Sequence, residues 1–341
     1  MKCLKIKLKK QETQKKKMWN NSKKFFEMEK RTKYFINVLV FLFIASAIVF
    51  GLLIIGQKSL MGRKNDLATK KPNPFQEIML EAKSAVVWDV INNRELFSKD
   101  ADISLPLASL TKVMTALVII SKFPNSSNIE ILQEYLEPEG DSKLVVGDIW
   151  QANDLRDFTL LTSSNDGAFA LAAVAEAKEN AFENNTLKNE DLRNKFIEEM
   201  NNTASEIGLS NSRFFNEHGL DRTVDRGGAY GSAKDTALLF EYTLKNFPEM
   251  LEATRYKNLE FKSAEKVYSA TNTNDFVDQI PNLIASKTGY TDLAGGNLVI
   301  AFDAGLGRPI IVSILGSSAD GRFTDALKLV DSSLKYIQQE K

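Results

Sequence analysis

One stretch breaks the ordinary rhythm of apolar and polar positions along this chain. Tyr34 to Ile55 contains no charged residue. As a helix it would span about 33 Å at roughly 1.5 Å per residue, against a bilayer hydrocarbon core of about 30 Å. The stretch exceeds the roughly 15-residue apolar core of a cleaved signal peptide, so an uncleaved signal anchor is expected over 34–56. Downstream the pattern becomes that of a globular body. Ser84 to Val90 is β-rich and bounded by polar residues, which predicts a strand. Glu95-Leu96-Phe97 is its expected hairpin partner across 91–94. From Ser109 an apolar helical period runs through Val113, Leu117 and Ile120 and stops before Pro124. Asp154 to Leu161 and the alanine-rich Ala168 to Ala177 predict two further helices. Leu192, Phe196, Met200, Ala204 and Ile207 fall on one helical stripe, closed by Gly208. Leu298 to Phe302 and Pro309 to Leu315 predict consecutive strands, and Arg322 to Ile337 a terminal helix. Strands at both ends of the body with helices between them predict an α+β domain. Its sheet must join chain-distant strands, with helices against its faces.

Charge divides the chain at the same place as hydropathy. Residues 1–33 hold twelve lysines and Arg31 against Glu12, Glu27 and Glu29, a net +10. The formal charge of the whole chain is zero, so the remainder carries −10. A basic head before an apolar helix is expected to stay cytoplasmic, with the body extracytoplasmic. An acidic body argues against a nucleic-acid partner. Gln57 to Pro74 is polar and reads as a linker, leaving 75–341 as the functional domain. Cys3 is the sole cysteine and His218 the sole histidine. No intrachain disulfide is possible, and neither a cysteine-based nor a histidine-rich metal site is expected.

Three short patterns carry candidate chemistry. Ser-x-x-Lys occurs at Ser109–Lys112, Ser263–Lys266 and Ser332–Lys335, Ser-x-Asn at Ser126–Asn128 and Ser163–Asn165, and Lys-Thr-Gly once, at Lys287-Thr288-Gly289. Together they form the signature of penicillin-binding proteins and class A β-lactamases. Context separates the copies. Ser109 opens the apolar helix, where Ser and Lys at i and i+3 share a face and the positive helix end favours an oxyanion. Ser263 sits in a charged stretch, and no Lys-Thr-Gly follows Ser332. Ser126 belongs to a turn, whereas Ser163 joins two predicted helices and can project into a cleft.

The runs LPLASLTKVMTA (105–116), LLTSSNDGAFALA (160–172), SRFFNEHGLD (212–221) and SKTGYTDLAGGNLV (286–299) occur in this order. They resemble the motifs of the D-alanyl-D-alanine carboxypeptidase family of low-molecular-mass penicillin-binding proteins. The resemblance implies a penicillin-binding/β-lactamase-like transpeptidase fold, with a helical subdomain beside an antiparallel sheet. It implies a serine DD-peptidase acting on peptidoglycan stem peptides and acylated by β-lactams, with no cofactor. Ser109 would be the nucleophile. Lys112 would be its base once burial and the nearby Lys287 cation lower its pKa, and Ser163 would relay a proton. Asn165, Lys287, Thr288, Gly289 and Tyr290 would bind substrate, the N–H groups of Ser109 and Tyr290 forming the oxyanion hole.

Other readings stand beside this one. Asn165 would serve equally as a helix cap, and His218 is read as structural, since the serine with strong context already has a lysine. A DD-endopeptidase of the same family shares every motif. A class A-like β-lactamase would need a deacylating Glu, for which Glu206-Ile-Gly-Leu-Ser-Asn211 is only a near miss. An inactive wall-binding protein would have no use for intact Ser109, Lys112, Ser163, Asn165 and Lys287.

Overall fold

The computed structural model describes residues 27–28, 30–31, 33–53, 72–122, 126–136, 140, 143–182 and 189–340. Most of the basic head and of the expected linker lies outside these residues. The chain divides into two compact units, Met1–Lys71 and Pro72–Lys341. In the first, α1 (Lys33–Leu53) is 21 residues long and contains an 18-residue window with a mean hydropathy of 2.7. Its length and composition suit a bilayer crossing.

The second unit opens with β1 (Ser84–Asp89), β2 (Arg94–Lys99) and β3 (Leu105–Pro106). A 3-10 turn (Ala108–Leu110) leads into α2 (Thr111–Lys122). Then come β4 (Asn128–Glu130), β5 (Ile149–Gln151), α3 (Ala152–Thr162), α4 (Asn165–Phe182) and α5 (Asn189–Glu206). Next are β6 (Arg213–Phe214), β7 (Ala229–Gly231), α6 (Ala233–Asn246), α7 (Glu249–Glu252), β8 (Asn258–Lys262) and β9 (Val267–Thr271). The chain closes with β10 (Leu283–Thr291), β11 (Gly295–Asp303), β12 (Pro309–Ser317) and α8 (Gly321–Gln339).

The main sheet is antiparallel, in the order β10-β11-β12-β1-β2, so the N-terminal hairpin pairs with C-terminal strands. Strand periodicity splits its side chains into two cores. Val86, Trp88, Val299, Ala301, Ile311 and Leu315 face the helices that precede β10. Ala85, Val87, Leu298, Ile300, Phe302, Ile310, Val312 and Ile314 face α8. Such a sheet is buried on both sides, which is why β11 and β12 read as nearly continuous apolar runs. Every residue of α2 from Thr111 to Ile119 is buried, the polar Thr111, Lys112 and Thr115 included.

The expected elements form, with informative differences. Ser109 does not open the α-helix: it lies in the tighter 3-10 turn, and α2 begins two residues later. Ala108 has φ of +49°, in the left-handed region, and forces that tighter turn. The helix expected at 168–177 begins at Asn165, because Ser164, not Asn165, caps it: Gly167 N–H donates to Ser164 Oγ at 2.9 Å. Ser263 lies in the β8–β9 turn, where its Oγ accepts the Lys266 N–H.

Asp325 in the first turns of α8 ties the sheet to the segment preceding it. Its buried carboxylate accepts the Glu81 and Ala82 N–H groups at 3.2 and 2.9 Å and the Ser317 hydroxyl at 3.1 Å. Asp325→Ala leaves these donors without partners and is expected to cost about 3 kcal/mol, measurable by denaturant unfolding of the Pro72–Lys341 unit.

Candidate active site

The cleft is assembled from four segments that are far apart in sequence. The 3-10 turn and α2 carry Ser109 and Lys112. The α3–α4 junction carries Ser163 and Asn165, the loop between β6 and β7 carries His218, and β10 carries Lys287 to Tyr290.

Lys112 is 1% exposed. Its Nζ has three neighbours: Ser109 Oγ at 2.8 Å, Asn165 Oδ1 at 2.7 Å and the His218 backbone oxygen at 2.7 Å. Two of these are acceptors only. A neutral amine has two hydrogens, and both are committed to Asn165 and His218. In that neutral form the lone pair is left for the Ser109 hydroxyl, which then donates to it; in the ammonium form Nζ donates to Ser109 Oγ as well. Burial drives the Lys112 pKa down from 10.5 to about 7, against an opposing pull from the Glu217 carboxylate. Of the two causes expected to lower this pKa, burial and the Lys287 cation, burial dominates at Lys112, and the repulsion between the two lysines is felt at Lys287.

Lys287 is likewise 1% exposed. Burial, then the charges of Lys112 and Arg322, hold its pKa well below the free value. Its Nζ donates to Ser163 Oγ at 2.9 Å and to the Thr288 carbonyl at 2.9 Å. Ser163 ends α3 in a left-handed conformation (φ 61°, ψ 31°). That twist turns the chain between two helices and leaves the hydroxyl aimed at Lys287. Thr288 Oγ1 pairs with Thr273 Oγ1.

Two glycines let backbone segments close on Ser109. Gly289 lies beneath the Ser109 turn: a Cβ there would sit 2.9 Å from Leu107 O and 3.1 Å from Ser109 N. Gly219, at φ +87°, would place a Cβ 1.9 Å from Ala108 O. Strand β10 ends the sheet, so among the described residues no strand lies beside its outer edge. Tyr290, next along, is half-exposed at that edge.

Three contributors had no role assigned from the sequence, although His218 and Asp221 lie in the SRFFNEHGLD run. His218 acts through its carbonyl. Its imidazole Nδ1 accepts the Leu220 N–H at 3.1 Å, and burial beside Lys112 and Arg193 lowers its pKa to about 3, so the ring is neutral and makes no triad with Ser109. Arg322 donates to the Gly289 carbonyl at 2.8 Å and brings a third cation to the cleft. Asp221 accepts the Thr291 hydroxyl at 3.0 Å, fixing the Gly219 loop to the end of β10. A backbone carbonyl has no sequence signature, and the start of a terminal helix gives no hint that it reaches the sheet edge.

The arrangement is chemically competent for acyl transfer. It joins a hydroxyl to a neutral amine at a helix start, with a second buried amine on a second hydroxyl and an open strand edge alongside.

Comparison with known proteins agrees with this chemistry. The D-alanyl-D-alanine carboxypeptidase family model (peptidase S11) matches residues 68–319. D-alanyl-D-alanine carboxypeptidase DacF of Bacillus subtilis is 27% identical over 293 residues, covering 84% of this chain and 70% of that protein. A D-alanyl-D-alanine endopeptidase of Haemophilus influenzae is 30% identical over 223 residues, covering 64% and 69%. The chain spans 62–70% of the length of the curated carboxypeptidases it first matches. In three dimensions it is similar to ampicillin-bound penicillin-binding protein D2 of Listeria monocytogenes. The TM-score is 0.63 at 27% identity, over 75% of this chain and 98% of that one. A sequence match of this extent, on a fold shared with a solved penicillin-binding protein, means that the chain belongs to the D-alanyl-D-alanine carboxypeptidase family of serine peptidases.

Proposed function

We propose that this protein is a serine-type D-Ala-D-Ala carboxypeptidase that trims peptidoglycan stem peptides through an acyl-enzyme at Ser109. The observation that carries the reading is the Lys112 amine, buried, held by two acceptors and 2.8 Å from the Ser109 hydroxyl, so that once neutral its lone pair meets that hydroxyl. Ser109 Oγ attacks the carbonyl between the two D-alanines while Lys112 takes its proton. The oxyanion is received by the N–H groups of Ser109 and Tyr290. The C–N bond breaks, Ser163 passes a proton from the lysine pair to the departing amine, and D-alanine leaves. Water then attacks the ester and regenerates Ser109. Asn165 and Gly289 align the peptide along β10, and Lys287 and Thr288, with Arg322 behind them, attract its terminal carboxylate. β-Lactams enter the same path.

In this reading α1 is a single-pass anchor, with the basic head cytoplasmic and residues 75–341 forming the extracytoplasmic peptidase domain. The head's +10 charge and the uncharged span support this orientation.

A second reading, DD-endopeptidase, is favoured by the Haemophilus relative. One experiment separates the two: incubation of the full chain with a pentapeptide stem and with a cross-linked dimer, followed by mass spectrometry. The expected outcome is loss of one terminal alanine from the pentapeptide. Cleavage of the dimer alone would establish the endopeptidase, and no cleavage of either would remove both readings.

A further inference from the structure

The mechanism above leaves a part-buried ion pair beside Lys112 without a part. Glu217 is fully buried. Its backbone carbonyl accepts the Thr115 hydroxyl at 2.6 Å, one turn beyond Lys112 on α2. The next residue, His218, gives its carbonyl to Lys112 Nζ at 2.7 Å. Glu217 is therefore fixed to α2 on both sides of the amine. Arg193 of α5 answers its carboxylate, with NH2 at 3.0 and 3.3 Å from the two oxygens. The Arg193 guanidinium also packs 4.6 Å from the centre of the Phe169 ring, on α4, which fixes its position.

The charged groups around Lys112 can be named element by element. The β6–β7 loop contributes Glu217 and a neutral His218, whose Nε2 lies 3.6 Å from the same carboxylate. From α5 comes Arg193. From β10 comes Lys287, reached across Ser163, with Arg322 of α8 behind it. Glu217 is the negative charge in this set, and Arg193 is the cation paired with it at 3.0 Å.

We propose that Glu217 and Arg193 are positioning residues that set the proton affinity of the Lys112 amine, Glu217 holding the proton on and Arg193 offsetting it. The assignment rests on the Ser109–Lys112 reading above. A carboxylate near an amine favours the ammonium form, and a guanidinium disfavours it. Burial alone would leave Lys112 neutral over a wider pH range. The carboxylate works against that burial and brings the titration back toward neutrality, where a general base works best.

The two charges make opposite predictions, which a purely structural ion pair does not. The measurement is the second-order rate of acylation of the full chain by a fluorescent penicillin, from pH 5 to pH 9. Acylation needs neutral Lys112, so the rate rises with pH through the Lys112 pKa. Glu217→Gln is expected to move this limb to lower pH by about 0.5–1, a three- to tenfold faster reaction at pH 6. Arg193→Gln is expected to move it to higher pH by a similar amount. Either variant alone tests the sign, so one that fails to fold leaves the other informative. Limbs that stay at the wild-type pH in the folded variants, with only the plateau lowered, overturn the proposal and leave the peptidase reading intact. Absence of acylation in the wild-type chain overturns the peptidase reading, and this proposal with it.

Discussion

Ser109→Ala is expected to abolish covalent labelling by a fluorescent penicillin and to lower peptide turnover by about 10⁴–10⁶-fold, the range seen when a nucleophile is removed from a serine hydrolase. The methyl group has no lone pair to form the ester, so no acyl-enzyme accumulates. The rest of the cleft survives the change. Lys112 keeps its hydrogen bonds to Asn165 and His218, and Ser163 stays on Lys287. Substrate therefore still docks, and the loss falls on kcat rather than on KM. Ser109 is only partly buried, so the melting temperature should be almost unchanged. Labelling of this variant at the wild-type level would place the nucleophile elsewhere and end the assignment.

Gly219→Ala is expected to slow acylation by about 10²-fold without touching any reacting group. The site has two independent obstacles to a side chain. Its φ of +87° is costly for alanine, by roughly 1–2 kcal/mol. Its Cβ would also sit 1.9 Å from Ala108 O and 2.5 Å from Ala108 C, both backbone atoms that cannot swing away. Ala108 is itself held at φ +49°, so the turn has little slack. The clash is relieved by moving the segment that carries Ser109, and a displacement of about 1 Å is worth about 10²-fold in a positioned reaction. Stopped-flow acylation checks this. A wild-type rate would show that the Ser109 turn does not depend on the loop packed against it.

Much of this site was legible in the sequence because its chemistry uses side chains at short, ordered spacings. Ser109 and Lys112 announce themselves as a helical i, i+3 pair, and Lys287-Thr288-Gly289 as a motif that occurs once in the chain. The fold class followed from β1, β11 and β12, whose apolar runs are dense enough to be seen without partners. Other features depend on tertiary contact and so had no local signal. Whether Lys112 is depressed by burial or by Lys287 depends on how tightly α2 is enclosed, and the enclosing walls come from α3, α4 and α5. Strand β8 (NLEFK) and strand β9 (VYSAT) alternate exposed and buried positions, but the charged turn between them reads as solvent-facing coil. Helix α6 was missed for a related reason. Its start, Ser232 capping Asp235 N–H at 3.0 Å, lies in a glycine-rich run that suggests only a loop.

An unoccupied sheet margin is a risk to any soluble domain, because copies of the same chain can zip onto it and precipitate. Strand β10 is such a margin. The Leu107–Ser109 turn packs over its face at Gly289, and Thr254 Oγ1 accepts the Ser286 N–H at 3.1 Å, interrupting the row on which a second copy would have to align. Thr254, remote from the reacting groups, thus protects the colloidal behaviour of the molecule. Variants that remove this hydroxyl should be judged for clumping as well as for activity.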